Sequence, residues 1–166
     1  MDKHQKYVNE KTMLAYEKYL KDEMFEKARA VILKDGEVAF IKNLSNGDIT
    51  IPGGGVDEGE TKEEAAKREA FEETGIHVNV IEPIETNIYE VKMQIGDVDF
   101  KSKRAAYIFL CEYLNEEEKK GGLEGEYEGN IEIYFDDIDK LEECHVSKEA
   151  IEKIKEYVNK NSNSKE

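Results

Sequence analysis

Tryptophan is absent from this 166-residue chain, and proline, cysteine and arginine are scarce, with two, two and three copies. Cys111 and Cys144 lie far apart and form no CxxC pair, so neither a disulfide framework nor a cysteine zinc site is expected. That usage fits a reducing, cytoplasmic setting. The neighbours Cys144 and His145 read as ordinary packing or surface residues. No apolar run approaches the roughly 20 residues that a spanning helix needs. The opening Met1-Asp2-Lys3-His4-Gln5-Lys6 lacks the apolar core of a secretory signal, so no membrane association is expected. Basic charge is also short. The net charge of −15 argues against a partner made of nucleic-acid polymer, whose binding rests on phosphate neutralisation. A small phosphate-bearing ligand stays compatible with it, because a bound cation inverts the local field.

What remains is a chain that is 39% hydrophobic and 38% charged. Its apolar residues fall in periodic runs, as in a folded domain with polar ends. Lys11 to Phe25 reads as an amphipathic helix, with Met13, Tyr16, Leu20 and Met24 at three- and four-residue steps. Such a stripe packs on a domain, or serves as a dimer contact or a lid. Two strand-like runs, 30–33 and 38–41, flank Lys34-Asp35-Gly36-Glu37, a hairpin signal. A short strand follows over Ile49 to Ile51, and Pro52-Gly53-Gly54-Gly55 opens a loop.

Thr61-Lys62-Glu63-Glu64 is a capping box. The helix it starts runs to Thr74 and stops at Gly75. His77 to Val91 and Arg104 to Tyr113 read as strands, with Pro83 interrupting the first or placing it at an edge. Asn115 to Asn130 is a charged loop, Ile131 to Phe135 a strand, and Ser147 the cap of a last helix bearing Ile151, Ile154 and Val158 on one face. Asn159 to Glu166 is a polar tail. The organisation is a helical extension over 1–27, one domain over 28–158 and a tail over 159–166. Strands mixed with few helices make the fold α+β or a mixed α/β sandwich.

The chemistry concentrates between Gly54 and Ile76. Glu69, Glu72 and Glu73 stand at i, i+3 and i+4 and share one helix face. Three neighbouring carboxylates repel one another unless a cation lies among them. Oxygen-only ligands suit Mg²⁺ or Mn²⁺. Arg68, four residues before Glu72, can fix that carboxylate as outer partners do at metal sites. The small Ala65, Ala66 and Ala70 allow close packing on a sheet. The competing reading is a solvated acidic face, since 29 residues are Glu.

The spacing decides between them. Gly54, Glu60, Arg68, Glu69, Glu72, Glu73 and Gly75 fill all seven fixed positions of the Nudix box, with Ile76 and the smaller Ala70 at its aliphatic positions. With this composition, chance would produce the pattern somewhere in the chain with a probability of about 10⁻⁵. The stretch therefore resembles the Nudix family, and the resemblance extends over Ala28 to Val158.

It implies an α/β/α sandwich around a central mixed sheet. It implies metal binding by Glu69, Glu72, Glu73 and the Gly53 carbonyl, with Arg68 as orienting residue. The implied reaction is attack of a metal-activated water on a diphosphate linkage, with Mg²⁺ or Mn²⁺ as cofactor. Its base is Glu69, or a carboxylate of the loop Gly121 to Gly129: Glu124, Glu126 or Glu128, with Glu128 preferred. Arg29, Lys42 and Arg104 are candidate phosphate contacts, each of which can equally be a surface ion-pair partner. Tyr89 and Tyr107 can stack on a base or simply pack.

The expected substrate is a nucleoside triphosphate, as for a MutT-like member. Dinucleoside polyphosphates, nucleotide sugars and ADP-ribose are the alternatives, and a non-catalytic nucleotide sensor is the alternative of another kind. The absence of Trp argues against the NADH-cleaving members. The protein is expected to act as a monomer or homodimer on a small-molecule nucleotide.

Overall fold

The computed structural model describes residues 25–95, 97–117 and 130–163. The helix expected over Lys11 to Phe25 lies outside them, apart from Phe25, which opens the first strand. The loop carboxylates Glu124, Glu126 and Glu128 also lie outside them. Among the described residues no helix is long and apolar enough to cross a membrane.

The Asp-Gly turn works as its sequence suggests. Asp35 and Gly36 adopt φ of 51° and 81°, so Lys34 pairs directly with Glu37. This joins β1 (Phe25–Lys34) to β2 (Glu37–Asn43). Then come β3 (Ile49–Thr50), β4 (Gly53–Gly55), helix α1 (Lys62–Thr74), β5 (Ile76–Ile95) and β6 (Val98–Glu116). The chain closes with β7 (Ile131–Asp136), a 3₁₀ helix (Ile138–Cys144) and α2 (Lys148–Asn163).

One mixed sheet of seven strands runs β3-β2-β1-β6-β5, with β4 on β1 and β7 on β2. Among the described residues, only β1 and β6 pair in parallel. Alternation along the strands splits the core into two layers. Ala28, Ala30, Ile32, Phe109 and Cys111 meet the buried Ala65, Ala66 and Ala70 of α1. Val31, Phe40, Ile108 and Leu110 meet Leu141, Ile151 and Ile154 from the 3₁₀ helix and α2. Each fully buried Leu or Ile contributes about 1.5–3 kcal/mol. The architecture is the expected α/β/α sandwich.

Three local expectations are corrected. The glycine run 53–55 is a strand, not a loop: Gly53, Gly54 and Gly55 pair with Arg29, Ala28 and Lys27. Both β5 and β6 outrun the expected strands, because they continue to pair with each other through charged residues such as Lys92 and Lys101. Pro83 does lie on the outermost strand, among register shifts at Val80/Glu82 and Pro83/Glu85. Helix α2 continues through Asn163 rather than fraying at Asn159, and Asn161 Nδ2 donates to the Tyr157 carbonyl at 2.8 Å.

Candidate active site

Helix α1 begins as its capping box dictates. The Glu64 N–H donates to Thr61 Oγ1 at 3.1 Å, and Thr61 N–H donates back to the Glu64 carboxylate. It ends at Gly75, whose φ of 77° closes the last turn through a bond to the Phe71 carbonyl. These two ends fix which turn carries Arg68, Glu69, Glu72 and Glu73, and which face they present to β4.

Arg68 organises that turn. All five of its guanidinium N–H donors are engaged. Nε and Nη2 grip Glu60 at 2.8 and 3.1 Å, and Nη2 also reaches the Gly55 carbonyl at 2.9 Å. Nη1 reaches Glu69 at 2.9 Å and Glu72 at 3.1 Å. The hydrogen bonds from Arg68 hold the Glu60 carboxyl below the usual carboxylate range. Glu60 therefore belongs to the frame of the site. The expected Arg68–Glu72 pair is present, as one part of a wider network.

Glu69 and Glu73 face the glycine strand. The Gly53 N–H donates to Glu73 Oε1 at 3.4 Å. In an antiparallel ladder the N–H and C=O of one residue point to the same side. The Gly53 carbonyl therefore shares the outer edge of β4 with Glu73. Burial, together with Glu69 beside it, pushes the Glu73 carboxyl up to about 8. Among the described residues no three carboxylate, imidazole or thiolate groups converge on a single point. Arg68 holds Glu72 to one side, with its carboxylate half exposed.

Beside this cluster a cavity of about 560 Å³ opens, lined by Lys27, Arg29, Gly53, Glu73 and Tyr89 among others. Its floor is the sheet face that also carries Val31 and Ile108. Arg29 donates to Thr50 Oγ1 at 2.9 Å and to the Cys144 carbonyl at 3.4 Å, so it also ties β1 to β3 and the 3₁₀ helix. A second cavity of about 580 Å³ adjoins at Arg29 and His145 and is walled by Asn43, Asp48 and Glu143.

Of the three candidate phosphate contacts, Arg29 lines the first cavity. Lys42 pairs with Ile49 and Glu132 and is not part of its lining. Arg104 is also outside the lining, yet near enough to Lys27 to help lower that amine's pKa, behind the larger effect of burial. Tyr89 lines the cavity; Tyr107 points to the α1 side, where Lys62 Nζ lies 3.9 Å from its ring centre. Sequence reasoning missed Lys27 and Asn87 and dismissed His145, which ends the 3₁₀ helix at a φ of 63° and lines the cavity. The alternation of Lys27 with Arg29 on β1 was the available signal.

A three-layered α/β/α sandwich with an acidic helix packed on a glycine strand is the class of fold that these elements define. The NUDIX domain family model matches residues 24–156, and the chain belongs to that family. A MutT-like protein of Streptomyces ambofaciens is 42% identical over 55 residues, 33% of this chain and 36% of that protein. The chain thus spans about a third of that relative's length.

Among solved structures, a UDP-X diphosphatase superposes with a TM-score of 0.55 at 21% identity, over 83% of this chain and 64% of its own. An ADP-ribose pyrophosphatase of Streptococcus suis gives 0.54 at 16%, over 82% and 91%. A MutT NUDIX hydrolase of Burkholderia pseudomallei gives 0.52 at 21%, over 71% and 86%. These likenesses concern the fold.

Proposed function

We propose that this protein hydrolyses the diphosphate linkage of a nucleoside diphosphate derivative with the help of a divalent cation. One observation carries the reading: Glu69 and Glu73 converge on the glycine strand, and Glu73 lines a cavity that also holds Lys27 and Arg29. Carboxylates and cationic side chains side by side suit a phosphate ester that arrives with its metal.

The residues present fit such a cation. The donors are oxygen only, and Glu73 is buried where its own charge is opposed, so a cation would favour the ionised form. Glu69, Glu72, Glu73 and the Gly53 carbonyl are the proposed ligands, with Mg²⁺ the expected ion and Mn²⁺ a substitute. Bound there, the metal would lower the pKa of a water and offset charge on the phosphate oxygens. Arg68 keeps Glu69 and Glu72 in register for this. Arg29 and Lys27 hold the substrate's phosphates. Glu69, or Glu128 from the later loop, accepts the proton of the attacking water.

The preferred substrate is a nucleoside triphosphate, in keeping with the sequence motif. A second reading, a nucleotide sugar or ADP-ribose, draws support from the adjoining cavity at Asn43, Asp48 and Glu143, which offers room for a polar group beyond the diphosphate. A panel of nucleoside triphosphates, dinucleoside polyphosphates, nucleotide sugars and ADP-ribose, assayed with Mg²⁺ for phosphate or pyrophosphate release, tests this. Turnover is expected with at least one. Nucleotide binding without turnover of any of them would make the protein a sensor.

A further inference from the structure

The β5–β6 hairpin outruns the rest of the sheet. The β1 ladder begins with Phe25 beside Arg104, and among the described residues 90–95 and 98–103 pair only with each other. The two faces of this ribbon differ in kind, because successive residues of a strand alternate between faces. On one set of positions Glu90 pairs with Lys103, Lys92 with Lys101 and Gln94 with Asp99, and all six are exposed. On the alternate set Val91 pairs with Ser102, Met93 with Phe100 and Ile95 with Val98, five apolar residues and one serine. Val91 is half-buried, and Ser102 is only 4% exposed.

The burial of Ser102 calls for a cover. Among the described residues, neither core cluster has a member between Glu85 and Arg104, so the two helical layers do not supply one. A lone two-stranded ribbon is also marginal in water unless something packs on its apolar face. The chain carries a fitting partner. Because β1 runs parallel to β6, the chain enters β1 from the side on which the ribbon projects. The residues before Phe25, outside the described structure, include the amphipathic stretch with Met13, Tyr16, Leu20 and Met24 at three- and four-residue steps. As a helix, Met13 to Met24 spans about 17 Å. The apolar face, four residue steps along each strand, spans about 13 Å.

We propose that the segment from Lys11 to Met24 docks as a helix on this face, its apolar stripe over Val91, Ser102 and the alternate positions beyond them. The face is continuous with the cavity floor: Asn87, Tyr89 and Val91 alternate along β5, as Ala106, Arg104 and Ser102 do along β6. The docked segment therefore stands beside Tyr89 and walls that end of the cavity. The proposal is independent of the reaction catalysed, and its test needs no turnover.

The test is thiol labelling of the full chain with a water-soluble maleimide. Ser102→Cys puts a thiol on the apolar face and Lys103→Cys puts one on the charged face. Native Cys111 and Cys144, 0% and 2% exposed, report any general unfolding. Ser102→Cys should react roughly tenfold or more slowly than Lys103→Cys, and adding Tyr16→Asp with Leu20→Asp should erase most of that difference while Cys111 and Cys144 stay unreactive. If the double substitution exposes the native thiols, Leu20→Ala takes its place. If Ser102→Cys does so, Val91→Cys on the facing strand takes its place. Equal rates for Ser102→Cys and Lys103→Cys, or slow labelling that the substitutions in the segment leave unchanged, overturn the proposal. Slow labelling that speeds up on dilution, with a dimer in sedimentation velocity, gives the face to a second copy of the chain and overturns it as well.

Discussion

Arg68 grips Glu60 with a two-point fork, Nε to Oε2 at 2.8 Å and Nη2 to Oε1 at 3.1 Å. The same guanidinium reaches Glu69, Glu72 and the Gly55 carbonyl, so one side chain links the loop, the helix and β4. A lysine keeps the charge but has a single point of attachment. Arg68→Lys is therefore expected to lose about 1–2 kcal/mol of unfolding free energy, read by urea titration. It should lose more in kcat, because Glu69 and Glu72 are no longer aligned. A variant with unchanged stability and turnover would show that the network is idle.

Glu73 makes stability depend on pH. Its carboxyl is raised from 4.5 to about 8, first by burial and then by Glu69. The folded state thus holds this proton more tightly than the unfolded chain does. The stabilisation is fully present below the unfolded value and is lost as pH rises through about 8. With a chelator present, Tm should fall by about 5 °C or more on going from mildly acidic to mildly alkaline buffer. Adding Mg²⁺ on the alkaline side should restore it, because a cation that binds only the folded state stabilises that state. Glu73→Gln should flatten the slope. A Tm that rises across this range in the chelated wild type would contradict the assignment.

Glu72 and Glu73 differ in burial but are assigned the same task. Glu72→Gln and Glu73→Gln each keep the side-chain shape and remove the charge. Each should reduce Mg²⁺-dependent turnover by more than the roughly 10–100-fold typical of groups that only orient a metal ligand. Far-ultraviolet circular dichroism should match wild type. Wild-type rates in both variants would remove these residues from the metal site.

Local signals carried much of this structure. The Asp35-Gly36 turn, the Thr61–Glu64 capping box, the Gly75 stop and the Arg68–Glu72 pair all involve residues at most four apart, and each is found as read. Cross-strand register was the illegible part. Nothing near Ala106 in sequence says that it lies between Lys27 and Asn87, because that row depends on one parallel and one antiparallel pairing. The grip of Arg68 on Glu60 was hidden for a similar reason, since it spans the turn before the helix. The glycine run read as a loop because glycine is a poor strand former. Here it is a strand because it pairs with β1, and it is built of glycine because side chains would not fit.

That steric demand separates two adjacent glycines. A Cβ on Gly53 would come within 2.7 Å of the Ala28 carbonyl oxygen, part of a central strand that cannot step aside. A Cβ on Gly54 would meet the Glu69 carboxylate at 2.5 Å, the far end of a flexible side chain. Gly53→Ala should therefore act on stability, costing roughly 1–3 kcal/mol through overpacking and backbone shift. Gly54→Ala should act on function: Glu69 swings away, stability changes little, and the Mg²⁺ concentration for half-maximal turnover rises. Chemical denaturation and metal titration of the two variants read these effects separately. Equal stability losses with unaltered metal dependence would mean that Glu69 does not need its place over Gly54 to serve the cation.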